Sequence, residues 1–238
     1  MRASLLIAAL LLTAAAPADK KPKGMVITPA SAEGAIILRA PRMPIEYVIG
    51  ISAYDPVERQ LKSGTFSGGW ADVEVKRMKE GRNASDYFVR KVKPGSYVFR
   101  AISQQSAWAN CYHAKTFQFE VKPGEVLYLG AFDGATALMQ LQENIVRSGR
   151  LSVQSGNVAH YFDDIPAPPL ERADDAALAA AQAKLRADMP TITSPLRAAA
   201  IKPATFGTGR DLFGLQRICG GWHKKKGKPI AEPGNPAE

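Results

Sequence analysis

Two short stretches hold the residue types most able to do chemistry. Cys111-Tyr112-His113 sets a thiol and an imidazole two positions apart, and Cys219-Gly220-Gly221-Trp222-His223 sets the same pair four apart. The chain has only 2 cysteines and 3 histidines, so these stretches hold all but one of its thiols and imidazoles. Two chemistries fit. Oxidation joins Cys111 to Cys219, closes a long loop and brings His113 and His223 into one neighbourhood. Reduction leaves Cys111, His113, Cys219 and His223 as a four-donor set of the kind zinc or copper takes. The spacings match no standard zinc-finger pattern. The disulfide is the expectation for a chain in an oxidising compartment.

Other catalytic patterns fail their context. The chain contains no G-x-S-x-G, and the Ser/Gly-rich stretch Lys62 to Trp70 reads as a loop without a histidine beside it. Gly207 and Gly209 follow no strand-to-helix unit, so a phosphate loop is not supported there. Asp163-Asp164 falls in a proline-rich link. Asp174-Asp175 opens a helical pattern, where the helix dipole accounts for the charge. Asn83-Ala84-Ser85 is a formal glycosylation sequon, silent in a bacterium. No catalytic residue, no cofactor and no metal ligand is therefore assigned, and the chain is not expected to be an enzyme.

The elements that position these residues begin with a leader. Met1-Arg2 is positive, Leu5 to Leu12 is apolar, and Ala16-Pro17-Ala18 ends a run of small residues. This is the pattern of a secretory signal peptide over 1–18, cleaved after Ala18, with an apolar run too short to span a bilayer. The mature chain is expected to be periplasmic or secreted, with no transmembrane segment after signal removal. The formal net charge of +9 suits contact with anionic envelope components or an envelope protein. Export argues against nucleic acid. Hydrophobic residues make up 46% of the chain, enough for a core without dense crosslinking.

After a flexible leader over 19–33, strand signals follow at short spacing. Ala35 to Ala40, Ile45 to Tyr54 and the alternation of Val73 and Val75 with charges all read as strands, with Gly50 a bulge or close-packing point. Val-Lys-Pro-Gly then occurs twice, ending in Gly95 and Gly124, each time between β-forming runs. Proline at the first central position and glycine at the second predict two hairpins with type II turns and positive φ at both glycines. Residues 34–160 are expected to form an antiparallel β-sandwich of about seven to eight strands, including a strand at Arg150 to Gln154. Residues 161–222 then give an extended proline-rich link, an Ala-rich helix and an irregular extension packed on the sandwich. Leu178, Ala181 and Leu185 mark the buried face of that helix, and Pro190 closes it. Thr193 to Ile201 predicts a further helical turn. Residues 223–238 read as a basic, solvated, disordered tail.

Val92, Pro94, Gly95, Tyr97 and Phe99, with Phe117, Phe119, Val121, Pro123, Gly124, Tyr128, Leu129 and Gly130, form a paired motif. It resembles bacterial exported and lipoprotein β-sandwich domains of unknown function, which are similar to carboxypeptidase-regulatory-like, or prealbumin-like, domains. The resemblance covers roughly Val89 to Pro190. It implies a sandwich and no catalytic residues, and this chain lacks the lipid-attachment cysteine of the lipoprotein members. The functional expectation is a binding or scaffolding module of the cell envelope. An envelope hydrolase with an unrecognised site and a metal-handling protein are the alternatives.

Overall fold

The computed structural model describes residues 24–41, 43, 45–62, 72–77, 86–104, 107–149, 160–163, 165–207, 217–219 and 221–222. The expected cleavage point at Ala18, the strand at 150–154 and the tail from His223 lie outside them. The first nine strands are β1 (Gly34–Arg39), β2 (Tyr47–Asp55), β3 (Gln60–Leu61), β4 (Asp72–Arg77), β5 (Tyr87–Val92), β6 (Gly95–Gln104), β7 (Trp108–Cys111), β8 (Thr116–Val121) and β9 (Val126–Phe132). Helix α1 (Gly134–Ser148) follows, then β10 (His160–Phe162) and β11 (Leu170–Glu171). Helix α2 (Asp175–Asp188), β12 (Leu196–Ala198), β13 (Lys202–Ala204), β14 (Arg217–Ile218) and β15 (Gly221–Trp222) complete the described elements.

The chain is a mainly β sandwich of two sheets with a helical and irregular C-terminal extension. The smaller sheet runs β11-β9-β1-β5, with β12 also on β9. The larger runs β10-β7-β6-β2-β3, with β4 on β2, β8 on β6 and β13 on β8. Most pairs are antiparallel. Three are parallel: β1 with β9, β7 with β10, and β9 with β12.

Side-chain alternation builds the core, and one irregularity corrects its phase. In β6, Tyr97 and Phe99 point between the sheets, while Val98 points to the outer face. Gly50 pairs with Ala101 but Ile51 pairs with Phe99, so Arg100 is an extra residue, a bulge. The bulge lets Ile102 also point inward, three positions after Phe99. Between the sheets, Tyr97 stacks on Phe119 with centroids 5.7 Å apart, and Phe99 stacks on Phe132 at 6.2 Å.

Both outer faces are covered as well. Ala35, Ile37, Val126 and Tyr128 lie under Ala181 and Leu185 of α2 and under Ile192 and Leu196. Asp174 caps this helix by accepting from the Ala177 N–H at 2.7 Å. Ile27 joins that layer fully buried, in a bridge to Ile192. The segment expected as a flexible leader is therefore packed from Met25 onward, because Ile27 has an apolar face to fill. On the opposite outer face, Tyr54, Leu61, Val98 and Ala101 lie under Phe206 and Cys219.

The repeated Val-Lys-Pro-Gly makes corners, which corrects the hairpin expectation. β5 pairs with β1 in the smaller sheet, whereas β6 pairs with β2, β7 and β8 in the larger. The first repeat thus carries the chain from one sheet to the other, and the second carries it back from β8 to β9. Val92 and Val121, which open the two repeats, are both buried between the sheets. The corners sit side by side, since Gly95 pairs with Val121. Gly95 and Gly124 have φ of 145° and 67°, both positive as expected. Only Gly124 has the φ of a type II turn, with the Glu125 N–H donating to the Lys122 carbonyl at 3.2 Å. Gly95 is instead the first residue of its strand.

Two further segments differ from expectation. Leu196–Ala198 is a strand on β9 rather than a helical turn, because an open edge of β9 takes up its backbone groups. Residues 134–148, given no element from sequence, form α1. Asp133 caps it by accepting from the Thr136 N–H at 3.0 Å, and Gly149 ends it in the left-handed conformation.

Candidate functional site

Cys111 ends β7, facing outward from the larger sheet. Cys219 follows β14 and packs on that face. The two are bridged, with Cα atoms 5.7 Å apart across 108 positions of sequence. Both are fully buried. With each sulfur bonded to the other, neither Cys111 nor Cys219 offers a thiolate to a metal in this state. His223 lies outside the described residues. Among those residues, no group of three or more His, Cys, Asp or Glu is arranged to hold a metal ion.

The bridge belongs to a larger clasp. The Phe206 N–H donates to the His113 carbonyl at 2.9 Å, and the two rings meet edge to face at 6.4 Å. The Tyr54 hydroxyl donates to the Thr205 carbonyl at 2.8 Å, while burial raises the pKa of that phenol above its ordinary value. Arg100, the bulge residue, is the part that sequence reasoning missed. Its Nε donates to Ser52 Oγ at 3.0 Å, and its Nη1 donates to the Cys219 carbonyl. The guanidinium lies across Gly50, where a Cβ would come within 2.9 Å of Nη2. The signal was present as an arginine inside the apolar run from Tyr97 to Ile102, with a glycine in the neighbouring strand to receive it. Cys219 holds φ of 48°, uncommon for a residue with a side chain, and the arginine contact helps fix it.

In the clasp Cys111, Cys219, Phe206 and Tyr54 are buried, and its contacts hold the C-terminal segment to the larger sheet. Tyr112 beside it is fully buried in the core between the sheets, and burial drives its pKa far upward. It has no open face from which to act.

An open feature lies on the other side of β8. A groove of about 450 Å³ runs along the lateral edge of the sandwich, between β8 and the crossing from β12 to β13. Phe119 and Leu127 of the core line it, with Arg197 of β12 and Lys202 of β13 at either end of the crossing. Glu120, Lys122 and Glu125 add charge from the β8–β9 side. Glu125 is turned onto its own corner, where its carboxylate accepts from the Lys122 N–H at 2.9 Å. No sequence motif marked this groove. Its walls come from segments far apart in the chain, and its cations are single residues.

Comparison with protein-family models, with curated proteins and with solved structures finds no match. Among the described residues, no helix is long and apolar enough to cross a membrane.

Proposed function

We propose that this chain is an exported, non-enzymatic binding or scaffolding module of a bacterial cell envelope. The observation that carries the reading is the lateral groove, with core side chains at its floor and exposed cations on its rim. Recognition by a rigid sandwich requires a surface that its own chain does not cover. Among the described residues, α2 packs on one outer face and Phe206 and Cys219 on the other, and the groove is left uncovered. The signal-peptide pattern ending at Ala18, the net charge of +9 and the basic run after Trp222 support an anionic envelope component or an envelope protein as the partner. The resemblance of the paired corners to exported prealbumin-like domains points the same way, and such folds host binding roles of many kinds.

The test is co-sedimentation of the oxidised mature chain with isolated envelope fragments, beside a reduced and alkylated chain. Saturable binding that only the folded chain shows, and that weakens as salt rises, is the expected result. Absence of binding by the folded chain overturns the reading. N-terminal sequencing of the exported protein is expected to begin at Asp19, and a retained Met1 overturns the export half of it.

A further inference from the structure

We infer that the groove takes an extended acidic segment of a partner protein, added as a strand to the open edge of β8. The inference rests on the binding-module reading and names its ligand class. Its first observation is a ladder that stops short. β13 pairs with β8 at Thr116, Phe117 and Gln118, with Lys202 opposite Gln118. The residues before Lys202 do not continue along β8, because the chain has just crossed from β12 in the other sheet. Among the described residues, Phe119, Glu120 and Val121 are therefore paired only on one side, with Tyr97, Ser96 and Gly95 of β6. An edge of unpaired N–H and C=O groups is a template for another strand.

The second observation is where that edge opens. Phe119 and Glu120 line the groove, so an incoming strand would continue the ladder that β13 begins. Its backbone would take the place that the crossing chain vacates. Alternate side chains of an added strand point to opposite faces. One set would meet the core at Phe119 and Leu127, which suits aliphatic residues. Arg197, opposite Leu127 in the ladder of β12 with β9, stands on that inner side, and the other set would meet Lys202 and Lys122; all three cations are exposed. Against these three cations stand Glu120 and Glu125, and the Glu125 carboxylate is already engaged by the Lys122 N–H. The balance favours carboxylates on the incoming chain.

The experiment uses the oxidised mature chain and a short, capped peptide of alternating valine and glutamate, read by backbone amide NMR. Two control peptides are matched to it. One carries lysine for glutamate, and the other is N-methylated at alternate amides. Expected are saturable shifts at Phe119, Glu120 and Val121, with affinity at least about tenfold weaker for each control. Equal affinity for the N-methylated peptide overturns strand addition, and equal affinity for the lysine peptide overturns the acidic preference. Shifts that miss Phe119–Val121, or no binding of the valine–glutamate peptide, overturn the site. The double substitution Arg197→Glu and Lys202→Glu, checked for fold by circular dichroism, separates this inference from the broader reading. Envelope binding that survives it leaves the module reading standing and removes this groove as its site.

Discussion

Replacing Gly124 with alanine is expected to destabilise the protein more than replacing Gly95, although both end the same four-residue repeat. At Gly124, φ of 67° places the residue in the left-handed region. A side chain there costs about 1–2 kcal/mol. Its Cβ would also stand 2.4 Å from the Pro29 carbonyl oxygen and 2.9 Å from that of Thr28. Both are backbone atoms of the turn in which the Ser31 N–H donates to the Thr28 carbonyl. Relief requires that turn to move, and Ile27, fully buried beside it, is the side chain at risk. Loss of that burial adds up to about 1.5–3 kcal/mol. With both contributions the Gly124 variant is expected to lose about 2.5–5 kcal/mol. At Gly95, φ of 145° also disfavours a side chain, but nothing lies within 4 Å of the Cβ position. Only the backbone cost of about 1–3 kcal/mol remains. The assay is urea unfolding of the oxidised mature chain, followed by far-ultraviolet circular dichroism. Equal losses, or a larger loss at Gly95, refute the packing of the N-terminal segment against the second corner.

Three further outcomes are expected. Cys111→Ser with Cys219→Ser is expected to lower stability by up to about 4.7 kcal/mol, the chain-entropy limit for a loop near 100 residues. The paired measurement is a thiol count on the denatured, unreduced protein, which should read zero. Asp133→Ala removes the α1 cap and is expected to cost about 1 kcal/mol at neutral pH. The Thr136 N–H and then the Thr136 hydroxyl lower the pKa of Asp133, so the cap's contribution is present above the ordinary carboxylate pKa and is lost as pH falls through the lowered one. The gap between native and variant in acid unfolding should therefore close below about pH 4. Burial raises the pKa of Tyr112, so its stabilising contribution is complete below about pH 10 and declines above it. Phenolate absorbance on alkaline titration should fall short of all tyrosines until the chain unfolds, and a full, early titration contradicts the burial.

What could be read in the sequence was local. Alternation of Val73 and Val75, the β-forming runs around each Pro-Gly, and the capped Ala-rich stretch from Asp174 to Pro190 all specify their own backbone. Strand partners are not local. The two repeats read as hairpins because a Pro-Gly turn between strands looks the same whether the chain returns to its neighbour or crosses to the facing sheet. The parallel pairing of β1 with β9 joins segments almost a hundred positions apart, and no periodicity reports it. Thr193 to Ile201 has alanines that suit a helix, yet the open edge of β9 outweighs that preference. α1 was legible and missed. Asp133 before the helix, Gly149 after it, and Ala137, Leu138 and Leu141 on one face are ordinary helix signals. The clasp was half legible. Two cysteines suggested the bridge, but Arg100 gains its meaning only from the bulge that places it over Gly50.

The most direct test of the envelope-binding account is photocrosslinking in the living bacterium, from a photoreactive residue placed at Glu120 on the open edge of β8. Asp188, exposed at the far end of α2, serves as the control position. The account predicts a discrete adduct with an envelope component from position 120, formed by the exported chain and absent from position 188. Identical adduct patterns from both positions, or no adduct from position 120 in correctly exported protein, would contradict it.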